Sequence, residues 1–533
     1  MAVIGRAVTV VLVVALGTAV WVSPPTAAQG RTVLVVAQAG DVDSLDNEKA
    51  LGPSKNAIIL CTDWQYIGYK PVQLKGGLMS VDVTKFVPRI VERWEDRPLP
   101  NGKHQYTLYV KRGLRHHSGS PVVAQDIAFS FQRRQAFRRD TLERTIGYFK
   151  ADQDIEVVDD YTIRFTTERY SPLFYNILTQ RNLYDSRRTK ELAGPRDPWG
   201  EEYLKRNCVA GGPYRLTRWN PGVEMVFDRW PEWWGNQTWE KTSVDQIVLR
   251  IVPSVETRVL LLQRGQIDFA MDLPPKEINR LRNTPGVKVM SYPSLNQLYV
   301  GINPAIKPFD NVKVRRAMAH AFPYEAAIQQ VFGGEAQRLN GPLPTGVLLA
   351  RKVAAYSTDL NKARALLAEA GFPNGFETIL TFDAKFQTHE DLAVLYKANL
   401  TKIGVNANIQ RMPSPQFNTE TRAKKVGLFF YEGLWWIANP LYMLNLSFYS
   451  TAHTNVSNYQ NPRVDEMLDE ANKTVDAKTR HRILEQVQNL VIDDVAWVFV
   501  AQPNFTIAVR SNIEGYVHQN TELHHLWLLR KVK

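Results

Sequence analysis

From Val33 to the C-terminus, short strand-like runs alternate with amphipathic helical runs, with no fixed-period repeat and no low-complexity tract. Such a chain must bury one face of each strand and one stripe of each helix, which directs it to α/β layers. Val33 to Ala37 reads as a short buried strand, Tyr106 to Val110 and Tyr161 to Thr166 alternate like half-buried strands, and Asp245 to Val252 does the same. The spacing predicts a helix capped by Asp359, with Leu360, Ala363, Leu366, Leu367 and Ala370 on one face and Gly371 as its left-handed stop. Asn461 and Pro462 predict a cap and a first helical position, ahead of Val464, Met467, Leu468 and Ala471. Ile483, Val487, Leu490 and Val491 mark a further helix.

Composition narrows the function classes. The 533 residues are 44% hydrophobic, enough for real cores, and the length allows roughly three domain-sized units. The net charge of +12 is spread over the whole chain without a basic block. That is the pattern of a solvated basic surface and gives no ground for a nucleic-acid partner. Cys61 and Cys208 are too few for a disulfide scaffold or a CxxC site. They are compatible with one disulfide in an exported chain or with two separate buried thiols.

Residues 1–28 read as a cleavable secretory signal peptide. Arg6 is followed by an apolar run from Ala7 to Val22, then by Ser23, Pro24, Pro25, Thr26, Ala27 and Ala28. The run is shorter than a spanning helix needs, and no cysteine stands at the cleavage point for a lipid anchor. The expected location is periplasmic, free of the membrane.

Catalytic signatures do not emerge. There is no GxSxG elbow, P-loop or GxGxxG, and His389–Glu390 begins an HExxH pattern that fails at Ala393. The adjacent pairs His116–His117 and His524–His525 are read as surface or packing residues, because sequence neighbours rarely turn both rings to one metal. The expectation is a protein that is not an enzyme, with no cofactor and no metal.

Six blocks in order resemble the peptide/nickel-type solute-binding proteins of ABC importers, solute-binding family 5. They are residues 87–133 (VPRIVERW…SFQR), 208–236 (CVAGGPYRL…WWGN), 260–273 (LLLQRGQIDFAMDL), 299–334 (YVGINPAIKPFDN…FGG), 357–372 and 455–471. In the first block, His116, His117, Ser118 and Gly119 stand where the family usually has aromatic-His-Asp-Gly, a departure read as local surface drift. In the second, Gly211 and Gly212 are read as allowing positive φ and close backbone approach.

The resemblance implies an α/β, two-lobed periplasmic binding protein of type II. Lobe I would be 29–290 plus 505–533, with about 70–195 as its extra subdomain, and lobe II would be 291–504. Hinges are expected near Ser291 to Asn296 and near Ala501 to Arg510. A small organic solute would be held between the lobes and passed, chemically intact, to the transmembrane subunits of an ABC permease, with the receptor acting as a monomer. In peptide-binding relatives an Asp four residues before a proline holds the ligand's ammonium. Here the proline is Pro440, that position is Trp436, and the acid just before the proline is replaced by Asn439. Trp435 and Trp436 are candidate stacking walls, Asn439 and Tyr442 candidate polar contacts, and Glu432 a candidate replacement acid. The solute would be a peptide or, given the Trp, an oligosaccharide or other non-zwitterionic compound. A secreted hydrolase, or a chaperone or sensor subunit on the same fold, is the alternative.

Overall fold

The computed structural model describes residues 30–50, 54–62, 65–137, 141–519 and 523–532; the signal peptide expected over residues 1–28 lies outside them. Two large sheets organise the chain. The seven-stranded one runs in the order Val287–Tyr292, Phe505–Arg510, Phe269–Ala270, Val33–Gln38, Gln246–Ile251, Glu224–Arg229 and Tyr214–Asn220. Val33–Gln38 is its central strand, parallel to both neighbours, Gln246–Ile251 and Phe269–Ala270. A strand enclosed on both faces needs a continuous apolar run, which is what VLVVA supplies.

The six-stranded sheet runs Ala336–Arg338, Trp497–Pro503, Gln297–Ile302, Leu428–Gly433, Glu377–Asp383 and Asn406–Met412. The chain passes between the two sheets twice, from Tyr292 to Gln297 and from Pro503 to Phe505. In the chain between the central strand Val33–Gln38 and the edge strand Tyr214–Asn220 of the first sheet lies a four-stranded antiparallel subdomain, in the order Val91–Pro98, His104–Val110, Thr162–Thr167 and Ile155–Asp159. The helix Ala124–Ala136 buries Ile127, Phe131 and Arg133.

The helix ends follow local rules. Asp359 Oδ1 accepts from Lys362 N–H at the start of Leu360–Glu369, and Gly371 takes a φ of +89° just past its end. Asn461 caps Pro462–Lys473, burying Val464, Met467, Leu468 and Ala471.

In the expected surface loop, Ser118 and Gly119 are exposed, but His116 is buried and His117 half-buried. His116 Nε2 lies 3.1 Å from Asp126 Oδ2, and the His117 ring bonds the Gly212 carbonyl at 2.9 Å. The imidazoles fill space and meet fixed acceptors, so the departure from the usual loop sequence is an internal packing solution. Gly212 is not at positive φ; it is required because an added Cβ would lie 2.5 Å from the backbone of Cys61 and Thr62. At that approach Cys61 and Cys208 are disulfide-bonded across 147 residues of chain.

Two buried carboxylates bind the subdomain to the segment after the central strand. Asp46 accepts both terminal nitrogens of Arg133, at 2.6 and 2.7 Å, and Glu48 accepts from Arg134 at 3.0 Å. The Cys61–Cys208 disulfide spans 147 residues, and closing so long a loop removes substantial entropy from the unfolded chain. Cys208→Ser should therefore lower unfolding stability by about 4 kcal/mol, measured by urea titration under oxidising conditions.

Candidate functional site between the two sheets

One apolar cluster is continuous from the four-stranded subdomain to the helices beside the six-stranded sheet. It includes Tyr66, Leu108, Phe174 and Leu183 on one side and Trp435, Leu441, Tyr442 and Trp497 on the other. Polar contacts cross the same junction. Tyr148 Oη donates to Asn472 Oδ1 at 3.3 Å, and the Lys55 ammonium lies 4.7 Å from the centre of the Trp436 ring.

The segment after Leu428–Gly433 builds one wall. Trp435 is 7% exposed; its indole N–H donates to Gln297 Oε1 at 2.5 Å and its ring stands edge-on to Tyr442, 6.1 Å away. Burial pushes the Tyr442 phenol up, against a smaller downward pull from Arg181. Trp436 is turned the other way, 43% exposed, beneath Lys55 of the helix Ser54–Cys61. Asn439 Oδ1 accepts from Leu441 N–H at 2.9 Å and so caps the helix Pro440–Phe448, on which Tyr442 sits.

Glu432 shares a strand face with Leu428 and Phe430, which pack under the helices Val312–Ala321 and Gln387–Lys402. Its Oε2 lies 4.0 Å from His389 Nε2. Burial raises the Glu432 carboxyl and lowers the His389 imidazole to about 4, so it acts against charge on both groups. The fold thus brings Trp435, Asn439 and Tyr442 together, and gives Trp436 and Glu432 separate partners. Lys55, Arg181 and Gln297 had no sequence signal, since each enters through a contact between distant segments, and His389 stood out only as the start of a failed HExxH pattern.

His116, Asp126 and Asp185 bring three potential ligand atoms within 4.8 Å of one another. Their carboxylates are already engaged. Asp126 accepts from Val123 N–H and from the Ser186 N–H and hydroxyl, and Asp185 accepts from the Ser118 and Ser120 hydroxyls and Arg188 N–H. The arrangement is a hydrogen-bond hub holding the loop in place.

Residues 85–455 match the family model described as bacterial extracellular solute-binding proteins, family 5 Middle. The chain belongs to that family. It is 29% identical over 423 residues to a glutathione-binding protein of Pectobacterium atrosepticum, covering 77% of this chain and 80% of the relative. It is 27% identical over 504 residues to a probable D,D-dipeptide-binding periplasmic protein of Escherichia coli, covering 92% of each. Among solved structures, a periplasmic binding protein from Helicobacter pylori in complex with the peptide STSA is 25% identical, with a TM-score of 0.75 over 94% of this chain and 99% of that one. The fold is accordingly the two-lobed α/β periplasmic binding protein of type II. Among the described residues, no helix is long and apolar enough to cross a membrane.

Several buried imidazoles set the response to acid. His117, His389 and His518 are lowered to about 4 and His524 to about 3, all primarily by burial. Each binds a proton more readily in the unfolded chain, so its stabilising effect is complete above pH ~6.5 and is lost as pH falls toward ~4. Glu432, raised on folding, acts in the opposite sense, losing stability as pH rises through its folded value. The melting temperature should fall between pH ~6.5 and ~4, and His389→Leu should make that fall shallower; melting scans across this range check both.

Proposed function

We propose that this chain is the substrate-binding subunit of an ABC importer, taking a peptide-sized organic solute between its two lobes and releasing it unaltered to the permease. Family membership supports the receptor class, because such proteins bind small solutes and deliver them to a membrane transporter. The observation that carries the reading is geometric: two separate sheets, joined by two short crossings, meet across one shared apolar cluster and the Lys55–Trp436 contact. A solute that touches both walls favours the closed arrangement by its differential affinity for it.

In this reading residues 1–28 are the export signal. Lobe I is 29–290 with 505–533, about 70–195 is its subdomain, and lobe II is 291–504. Bending occurs at the two crossings, and the receptor works as a monomer. Trp436 and Trp435 supply the aromatic wall, Tyr442 and Asn439 its polar rim, and Glu432 a nearby acid. The solute is a peptide or related compound. The relatives named for glutathione, for a D,D-dipeptide and for a bound peptide STSA support that class. The Trp at 436 also suits a neutral ring-bearing solute such as an oligosaccharide, through stacking on its exposed face.

A thermal-shift panel of short peptides and neutral oligosaccharides tests this. A cognate solute at 100 times its Kd should add about 2.7 kcal/mol of stability. It should also compact the protein in X-ray scattering, and be recovered intact after long incubation. Conversion of the solute, or identical scattering with and without it, contradicts the reading. Trp436→Ala should weaken binding about tenfold while leaving the circular dichroism spectrum unchanged, an effect of about 1.4 kcal/mol measured by calorimetry.

A further inference from the structure

Tyr148 carries a backbone conformation that its side chain does not favour. Its φ is +60°, in the left-handed region that a bulky residue enters only where the surrounding structure holds it there. What holds it is a closed turn after the short helix Thr141–Thr145. Gly147 N–H donates to the Leu142 carbonyl at 2.9 Å, and Phe149 N–H to the Glu143 carbonyl at 3.1 Å. Gly147 leaves no room for a Cβ, which would lie 2.7 Å from the Glu143 carbonyl oxygen and 2.8 Å from Ile177 Cδ1. The Tyr148 carbonyl accepts from Glu168 N–H at 2.9 Å, and the Arg169 guanidinium lies 4.2 Å from the ring centre. The turn and the arginine together fix where the phenol points.

It points out of the subdomain. Tyr148 is 7% exposed, and its Oη reaches Asn472 Oδ1, 3.3 Å away on the helix Pro462–Lys473. Asn472 is in turn tied to Asn445: its Nδ2 donates to Asn445 Oδ1 at 3.1 Å, and Asn445 Nδ2 donates to Asn472 Oδ1 at 3.3 Å. An amide oxygen has two lone pairs, so Asn472 Oδ1 serves both donors. Asn445 lies on the helix Pro440–Phe448, three residues after Tyr442 and so beside it on the helix surface. A strained turn on one side of the junction is thereby linked, through two side chains, to the helix that builds the other side. Burial raises the Tyr148 phenol above its usual range, against a downward pull from Arg169, so the hydroxyl stays a donor.

We propose that Tyr148 is a latch: its hydroxyl meets Asn472 only when the lobes are shut, and the bond holds the helix Pro440–Phe448 against the first lobe so that the solute leaves slowly. This rests on the receptor reading above, which places Tyr148 and Asn472 in different lobes. It goes beyond that reading by naming a residue that governs release without touching the solute. A bond made in the closed arrangement and absent from the open one adds its whole effect to the apparent affinity, because only a difference between the two states shifts their balance. The held turn fits that role: the ring is set in place before closure, so little freedom is lost when the bond forms. Tyr148 is thus a positioning residue, and its effect falls on dissociation rather than on association.

The probes are glutathione, short peptides and neutral oligosaccharides, with binding and release followed by stopped-flow tryptophan fluorescence. Tyr148→Phe keeps the ring beneath Arg169 and removes only the hydroxyl. For the tightest probe its dissociation rate should rise about fivefold, the scale of one net hydrogen bond, while the association rate stays within about twofold of wild type. Asn472→Ala should raise the dissociation rate as well. Adding Tyr148→Phe to Asn472→Ala should change it no further, since the two residues act through one bond. The empty Tyr148→Phe protein should melt as wild type does. A dissociation rate unchanged in Tyr148→Phe overturns the latch and leaves the receptor reading intact, and so does a double variant in which the two effects simply multiply. A lower melting temperature of the empty Tyr148→Phe protein with an unchanged dissociation rate assigns the hydroxyl to the fold alone and also overturns the latch. If no probe binds the wild-type protein, the receptor reading falls and the latch falls with it.

Discussion

Everything that lets this protein act as a receptor depends on how its chain passes between the two sheets. It crosses twice, at residues 293–296 and at Asn504, and the crossings are fastened to each other. Ser294 Oγ donates to the Pro503 carbonyl at 2.6 Å, and Gln502 Nε2 donates to the Ser294 carbonyl at 2.7 Å. Glu335, from the second lobe, meets both crossings and the lobe beyond them. It pairs with Arg282, accepts from the Ser291 hydroxyl at 2.7 Å, and takes the Asn504 backbone N–H on its carbonyl at 2.9 Å. The two short crossings are thus bonded to each other and to Glu335.

Against that narrow joint, each lobe is made stiff by different means. In the first, ion pairs do the fastening: Asp46 with Arg133 and Glu143 with Arg181 are buried, and Glu48 and Glu143 also meet the half-buried Arg134. Breaking any one of them strands a charge in an apolar surrounding, which is strongly unfavourable. The subdomain therefore moves with the sheet it is anchored to. In the second lobe the fastening is mostly aromatic and aliphatic, with Tyr299 stacked on Trp497 at 3.6 Å. The surfaces that meet between the lobes are thus each backed by closely fastened packing.

The parts legible in the sequence were those governed by neighbours along the chain. The central strand, the caps at Asp359 and Asn461 and the stop at Gly371 follow from a few consecutive residues, and each is found where its pattern stands. The motif order carried the family and hence the two-lobed fold. What could not be read depends on residues far apart. His116 gave no sign of Asp126, nor Trp436 of Lys55, nor Tyr442 of Arg181, because no local pattern records which surfaces the fold will bring face to face. Even the two tryptophans, adjacent in sequence, take opposite environments, one spent on Gln297 and one half open.

The cross-link between Cys61 and Cys208 has a practical consequence. It sits at the C-terminal end of the short helix that presents Lys55 to Trp436, next to the tight approach of Gly212. A chain synthesised in a reducing cytosol would carry two thiols there, leaving that helix held by packing and by a few hydrogen bonds, such as those of Asn56 with His524 and Ser54 with Asp43. Material for binding work is therefore best directed to an oxidising compartment or reoxidised during refolding. Otherwise a preparation with the right mass and overall shape would leave the helix that carries Lys55 without its covalent fastening.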